Sequence, residues 1–217
     1  FLPRGGHSRE LRSLLGCLFE EQSGLLEYAG DVAGAEAADG RAFAVRWSLA
    51  QDFPATAAHW QFVAASLHNL AFRAGTRGDL REACSLSTEA IATYRRACRQ
   101  DPANREFAAH LENSLGNHCG YLLRSGNLDE LATSLDELAA VATRPDTFLE
   151  HARMTLRLGA RLRARDGDAA EERHVELRER AMRSVEAAIA RGFQDRSHFE
   201  QGRFARFYDD LRSWPEF

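Results

Sequence analysis

Residues 69–83 read Asn-Leu-Ala-Phe-Arg-Ala-Gly-Thr-Arg-Gly-Asp-Leu-Arg-Glu-Ala. Their centre, Gly78-Asp79-Leu80, has counterparts at Gly30-Asp31-Val32 and Gly126-Asn127-Leu128, each 48 residues away. Val63, Leu67, Leu70 and Ala74 fall at helical spacing before the glycine, and Leu80, Ala83, Ala90 and Tyr94 do so after it. The glycine therefore sits between two helices, where a left-handed terminal residue is needed and glycine supplies it without steric penalty. Asp79 or Asn127 can cap the following helix by accepting from its free N–H groups.

More of the chain aligns at the same offset. Pro54-Ala55 matches Pro102-Ala103, Ser66-Leu67-x-Asn69 matches Ser114-Leu115-x-Asn117, and Glu82 and Glu89 match Glu130 and Glu137. The prolines close each pair, because proline cannot continue a helix. The unit is helix, tight turn, helix and proline-marked loop. A fixed period of this size marks a repeat protein, whose units bury their apolar faces against their neighbours.

Asn69-Leu70-Ala71, Gly78-Asp79-Leu80 and Glu82-Ala83 together resemble the tetratricopeptide (TPR) motif. The second copy departs from it at His118, Cys119 and Leu131, and the first has Glu21 where asparagine is expected. Leu158-Gly159 with Gly167-Asp168, one extra residue between them, suggests a fourth, weaker copy. The TPR period is about 34 residues, so a longer period implies helices longer by about two turns each. The resemblance implies an all-α, right-handed α-solenoid of three to four TPR-like helical hairpins with a C-terminal capping helix. Repeats are expected at about 9–54, 55–102, 103–147 and 148–192. Residues 1–8 read as a flexible or vector-derived N-terminus and 193–217 as the cap. Residues 45–217 are similar to long TPR arrays of bacterial multidomain proteins, which often follow a Ser/Thr kinase or a sigma-factor-like domain. The start at Phe1 without methionine reads as a fragment or a processed form.

In that family the first helix of each pair lines a concave groove. Carried over by position, this points to Glu20, Glu21 and Glu27 in the first unit and His68, Asn69 and Phe72 in the second. It points to Asn113, Asn117 and Arg124 in the third, and to Arg153, Arg157 and Arg163 in the fourth. A side-chain amide offers donor and acceptor to an extended peptide, and arginine can grip a carboxylate in two places. The groove would run from acidic to basic along the chain. Asn69 and Asn117 could equally bond to neighbouring helices, and the arginines could be solvated surface.

The function implied is a non-enzymatic protein–protein interaction module, the scaffolding or sensory arm of a larger bacterial protein. The alternative is a structural appendage that self-associates or positions an upstream catalytic domain. All 28 basic residues are arginine, which excludes a P-loop, Schiff-base or kinase lysine. The net charge of -4 gives no reason to expect nucleic-acid binding, and no apolar run reaches membrane-spanning length. Cys17, Cys84, Cys98 and Cys119 form no CxxC pair and read as small buried residues in a cytoplasmic protein. The histidines form no HExxH, so no metal or cofactor is expected, and His118 reads as a hydrogen-bonded packing residue. Residues 171–180 read as a solvated helix face with Arg173–Glu176 and Glu176–Arg180 pairs. Phe193, Phe199, Phe204, Phe207, Tyr208, Trp214 and Phe217 form an aromatic end, read as a cap with a homodimer contact as its rival.

Overall fold

The computed structural model describes residues 6–194, with side chains from residue 9. Among these residues the chain is all-α. Its helices are α1 (Gly6–Tyr28), α2 (Val32–Asp52), α3 (Ala57–Arg77), α4 (Leu80–Gln100), α5 (Arg105–Ser125), α6 (Leu128–Val141), α7 (Pro145–Asp166) and α8 (Glu171–Ala190). Helices α2 to α5 each span 21 residues, the extra turns that the long period requires.

The three Gly-Asp/Asn turns are the same object three times. Gly30, Gly78 and Gly126 have φ of 81°, 91° and 80°. In each, the next residue's N–H bonds the carbonyl five residues back: Asp31 to Leu26 (2.8 Å), Asp79 to Ala74 (2.9 Å) and Asn127 to Leu122 (3.1 Å). This wide loop satisfies carbonyls that the helix end leaves open. The side chains of Asp31, Asp79 and Asn127 then accept from the N–H of Gly34 (2.9 Å), Glu82 (3.0 Å) and Glu130 (3.4 Å). Glycine and cap are thus adjacent residues, so each turn both ends one helix and starts the next.

The fourth copy differs. Gly167 has φ 61° and ψ -140°, and Gly167–Ala170 form a 3-10 turn. Helix α8 starts after Ala170 with no side-chain cap. Asp168 sits inside that turn and cannot take the role of Asp79, which is the consequence of the extra residue before it.

The chain divides into two compact units, Phe1–Ser114 and Leu115–Phe217, with the division inside α5. In the first unit α1 packs on α2, α2 on α3 and α3 on α4. Its core holds Ala50, Trp60, Val63, Leu67, Ala90, Ala97 and Phe107. Alanines at the crossings let long helices approach closely, while Leu67 and Trp60 fill the remaining volume. The indole N–H of Trp60 and the Gln100 amide both donate to the Pro54 carbonyl at 2.9 Å, which fixes the proline loop. In the second unit α6 packs on α7 and α7 on α8. Phe148, Leu149, Leu156, Met182 and Val185 form that core.

Candidate interaction face

The groove residues expected in the first unit fall into two groups. Glu20 and Glu27 on α1 are held by arginines from within the unit. The Arg46 guanidinium, buried on α2, reaches Glu20 at 2.5 Å and Ser66 Oγ at 2.9 Å. Gly16 allows it: a Cβ there would stand 3.2 Å from Arg46 Cγ. Arg73 on α3 bonds Asp39 on α2, Ser23 Oγ at 2.7 Å and Glu27 at 3.4 Å. Arg12 on α1 meets Asp52 at 2.7 Å. These three arginines tie α1, α2 and α3 together, and two of them, Arg46 and Arg73, pair with Glu20 and Glu27 of the acidic end expected for the groove. Glu21 is exposed on the outer side of α1.

The second group forms a face built from α3, α4 and α5. Phe72 is half exposed, and His68 and Asn69 are half-buried beside it on α3. His110 on α5 stacks on the Tyr94 ring, at 5.9 Å between centroids and 13° between planes, and its Nε2 lies 3.5 Å from Glu106. Burial, and then the charge of His110, hold His68 below the usual imidazole range. His68 is therefore neutral at pH 7, with one ring nitrogen able to donate and one to accept. Asn113 is exposed on the same helix as His110. This face offers the exposed Phe72 ring, a neutral imidazole and amides, the groups that hold an apolar side chain and an extended backbone.

In the second unit Asn117 and Arg124 are exposed on α5 and Arg157 is half-buried on α7. Arg153 is paired one turn back with Glu150 and only 15% of its side chain is exposed. Arg163 lies 3.3 Å from Glu171. The basic end of the expected polarity is thus partly neutralised too. Buried His118 lies 3.8 Å from Glu130, in keeping with a packing role.

Two expectations do not hold in the structure. Arg180 does not pair along its helix with Glu176. It turns inward, because α7 places His151 beneath it. Its guanidinium donates to His151 Nε2 at 3.0 Å and meets Asp136 of α6 at 2.6 Å. His151 Nδ1 lies 2.7 Å from Ser184 Oγ, and that hydroxyl donates to the Arg180 carbonyl at 3.2 Å. Guanidinium has only donors, so Nε2 carries the lone pair and Nδ1 the proton. Burial, then the Arg180 charge, push His151 down to about 3. Both ring nitrogens are occupied, so this serine–histidine pair cannot act as nucleophile and base. It fastens α6, α7 and α8. Sequence reading missed it because its members lie far apart in the chain. Nor are all the cysteines buried. Cys17 is exposed and Cys84 and Cys98 half-buried; only Cys119 is buried, its thiol pushed up to about 12 by burial and Glu150. The Arg173–Glu176 pair forms as expected, at 2.8 Å.

Of the aromatic end, Phe193 packs on the α8 core. Phe199, Phe204, Phe207, Tyr208, Trp214 and Phe217 lie outside the described residues. None of the described helices is long and apolar enough to cross a membrane.

No family model matches this chain, and no curated protein sequence matches it. Among solved structures it is similar to the DHF58 filament, with 17% identity and a TM-score of 0.44, over 84% of this chain and 96% of that one.

Proposed function

We propose that this chain is a non-enzymatic protein–protein interaction module of TPR-like helical hairpins, and that it binds an extended peptide segment on the face formed by α3, α4 and α5. The observation that carries the reading is Phe72. It is half exposed, at the helix position that lines the groove in TPR repeats, with His68 and Asn69 half-buried beside it on the same helix. An exposed aromatic among neutral polar groups is the composition of an interface core rather than of ordinary surface. Recognition would come from a buried apolar anchor and backbone hydrogen bonds, with charge a smaller part, since Glu20, Glu27 and Arg153 are already paired. The solenoid arrangement, the bacterial multidomain setting and the cytoplasmic location belong to the same proposal.

The test is selection of a displayed random-peptide library on the parent chain and on a Phe72→Asp, Asn69→Ala variant of equal helicity by circular dichroism. A consensus with an apolar anchor, enriched only by the parent, supports the reading. Equal enrichment by both would move binding off this face, and no enrichment by the parent would count for the structural-appendage reading.

A further inference from the structure

Helix α1 has two distinct sides. One side, with Arg12, Gly16 and Ser23, faces the rest of the first unit. The other carries Leu11, Leu14, Leu18, Leu25 and Tyr28, each between 59% and 94% exposed. With Glu21 these positions step by alternating threes and fours, 11, 14, 18, 21, 25 and 28. That is the a/d pattern of a coiled-coil seam, the spacing at which one straight helix face meets another along its whole length. The stripe spans about 26 Å at 1.5 Å per residue.

We propose that this seam is a homodimer interface, in which α1 of one copy packs antiparallel on α1 of a second copy. Area is the first reason. On ordinary side-chain areas the five exposed residues present roughly 500 Å² of apolar surface per copy, more than scattered surface leucines give. Two copies together hide about 1,000 Å², the lower bound of a specific interface. A self-complementary stripe meets itself about a two-fold axis, which closes the assembly at two.

Glu21 decides the direction. In a parallel, in-register pair it would face the partner's Glu21 across the seam, two carboxylates among leucines. In the antiparallel pair Leu11 faces the partner's Tyr28, Leu14 the partner's Leu25, and Leu18 the partner's Glu21. The two carboxylates then lie in separate layers. Beside Glu21, Gln22 holds Arg41 at 3.4 Å, which supplies a cation at the rim of the seam. Gly24 flanks the seam, and a Cβ placed there would meet nothing within 4 Å, so the backbones can approach.

The test is light scattering and sedimentation of the full chain up to roughly 100 μM, the affinity range expected at this interface size. The parent should be dimeric. A Leu14→Glu, Leu18→Glu variant should be monomeric, with dissociation at least tenfold easier and circular dichroism unchanged, since both residues are exposed. In a Cys17→Ser background, mixing Leu14→Cys protein with Leu25→Cys protein should give an oxidised cross-linked dimer, while neither alone does. A monomeric parent, or a variant that stays dimeric, overturns the proposal. So does dissociation by Phe204→Asp, Phe207→Asp instead, which would place the contact in the C-terminal aromatic segment. Cross-linking of Leu14→Cys with itself overturns the antiparallel direction.

Discussion

Truncating Asp39 to alanine should destabilise the first unit severely. Asp39 is 2% exposed in its side chain and Arg73 9%, so the pair sits away from water. Removing the carboxylate leaves the guanidinium buried, with Ser23 Oγ at 2.7 Å and Glu27 at 3.4 Å as remaining partners. Breaking a buried ion pair from one side costs about 3–5 kcal/mol, mostly from the stranded charge. Glu27 is more than half exposed, and a screened partner of that kind returns no more than about 1 kcal/mol. The net loss is then about 2–4 kcal/mol. At about 4 °C per kcal/mol for a unit of this size, the midpoint falls by about 8–16 °C. Trp47 and Trp60, both in the first unit, make tryptophan fluorescence during thermal and urea unfolding the natural assay. Glu27→Gln is the control and should cost under about 1 kcal/mol. The double change Asp39→Leu, Arg73→Met removes both charges at similar volume and should recover most of the loss. If Asp39→Ala cost no more than Glu27→Gln, the view that buried arginines bind α1, α2 and α3 together would be refuted.

Gly78→Ala should cost about 1–2 kcal/mol, since φ of 91° is unfavourable for a side chain even in open space. Gly40→Ala, inside α2 with nothing within 4 Å, should instead stabilise by about 0.5–1 kcal/mol; both are read by chemical denaturation. His151 should remain neutral in the folded chain down to about pH 3, visible as an imidazole resonance that does not titrate above that pH. Its folded value lies below the unfolded one near 6.5, so the unfolded chain binds the extra proton between them. Stability should therefore fall as pH drops from about 6.5 towards 3, by up to about 1.4 kcal/mol per pH unit from this group, and His151→Gln should flatten that slope. Ser184→Ala, which leaves the His151 ring with the Leu135 backbone as its remaining acceptor, should cost about 0.5–1.5 kcal/mol in the second unit.

The helices and turns were legible because they rest on local chemistry. A glycine at positive φ, a cap one residue on and a proline beyond the helix are all set within a few residues, and the structure repeats the glycine turn at Gly30, Gly78 and Gly126 with nearly the same angles. The break at Gly167 was legible as an extra residue, though the 3-10 turn that absorbs it was not. The candidate face was half legible. Phe72, His68 and Asn69 were placed by their positions in the repeat, and the structure sets His68 near His110 and its stacked Tyr94, which no spacing rule connects.

Charge was where local reading failed. Arg46, Arg73 and Arg180 look like any surface arginine in a helix, because a charged residue's own sequence neighbours do not show what another helix brings to it. Asp39 lies 34 residues from Arg73, and His151 lies 29 from Arg180. The all-helical pattern and its repeated turns follow from the order of residues alone, because periodicity and capping act over single turns of the chain. Which charges are neutralised inside the fold, and which apolar stripe stays uncovered, was settled only when the helices packed. Desolvation and pairing depend on distances between helices that local sequence does not encode.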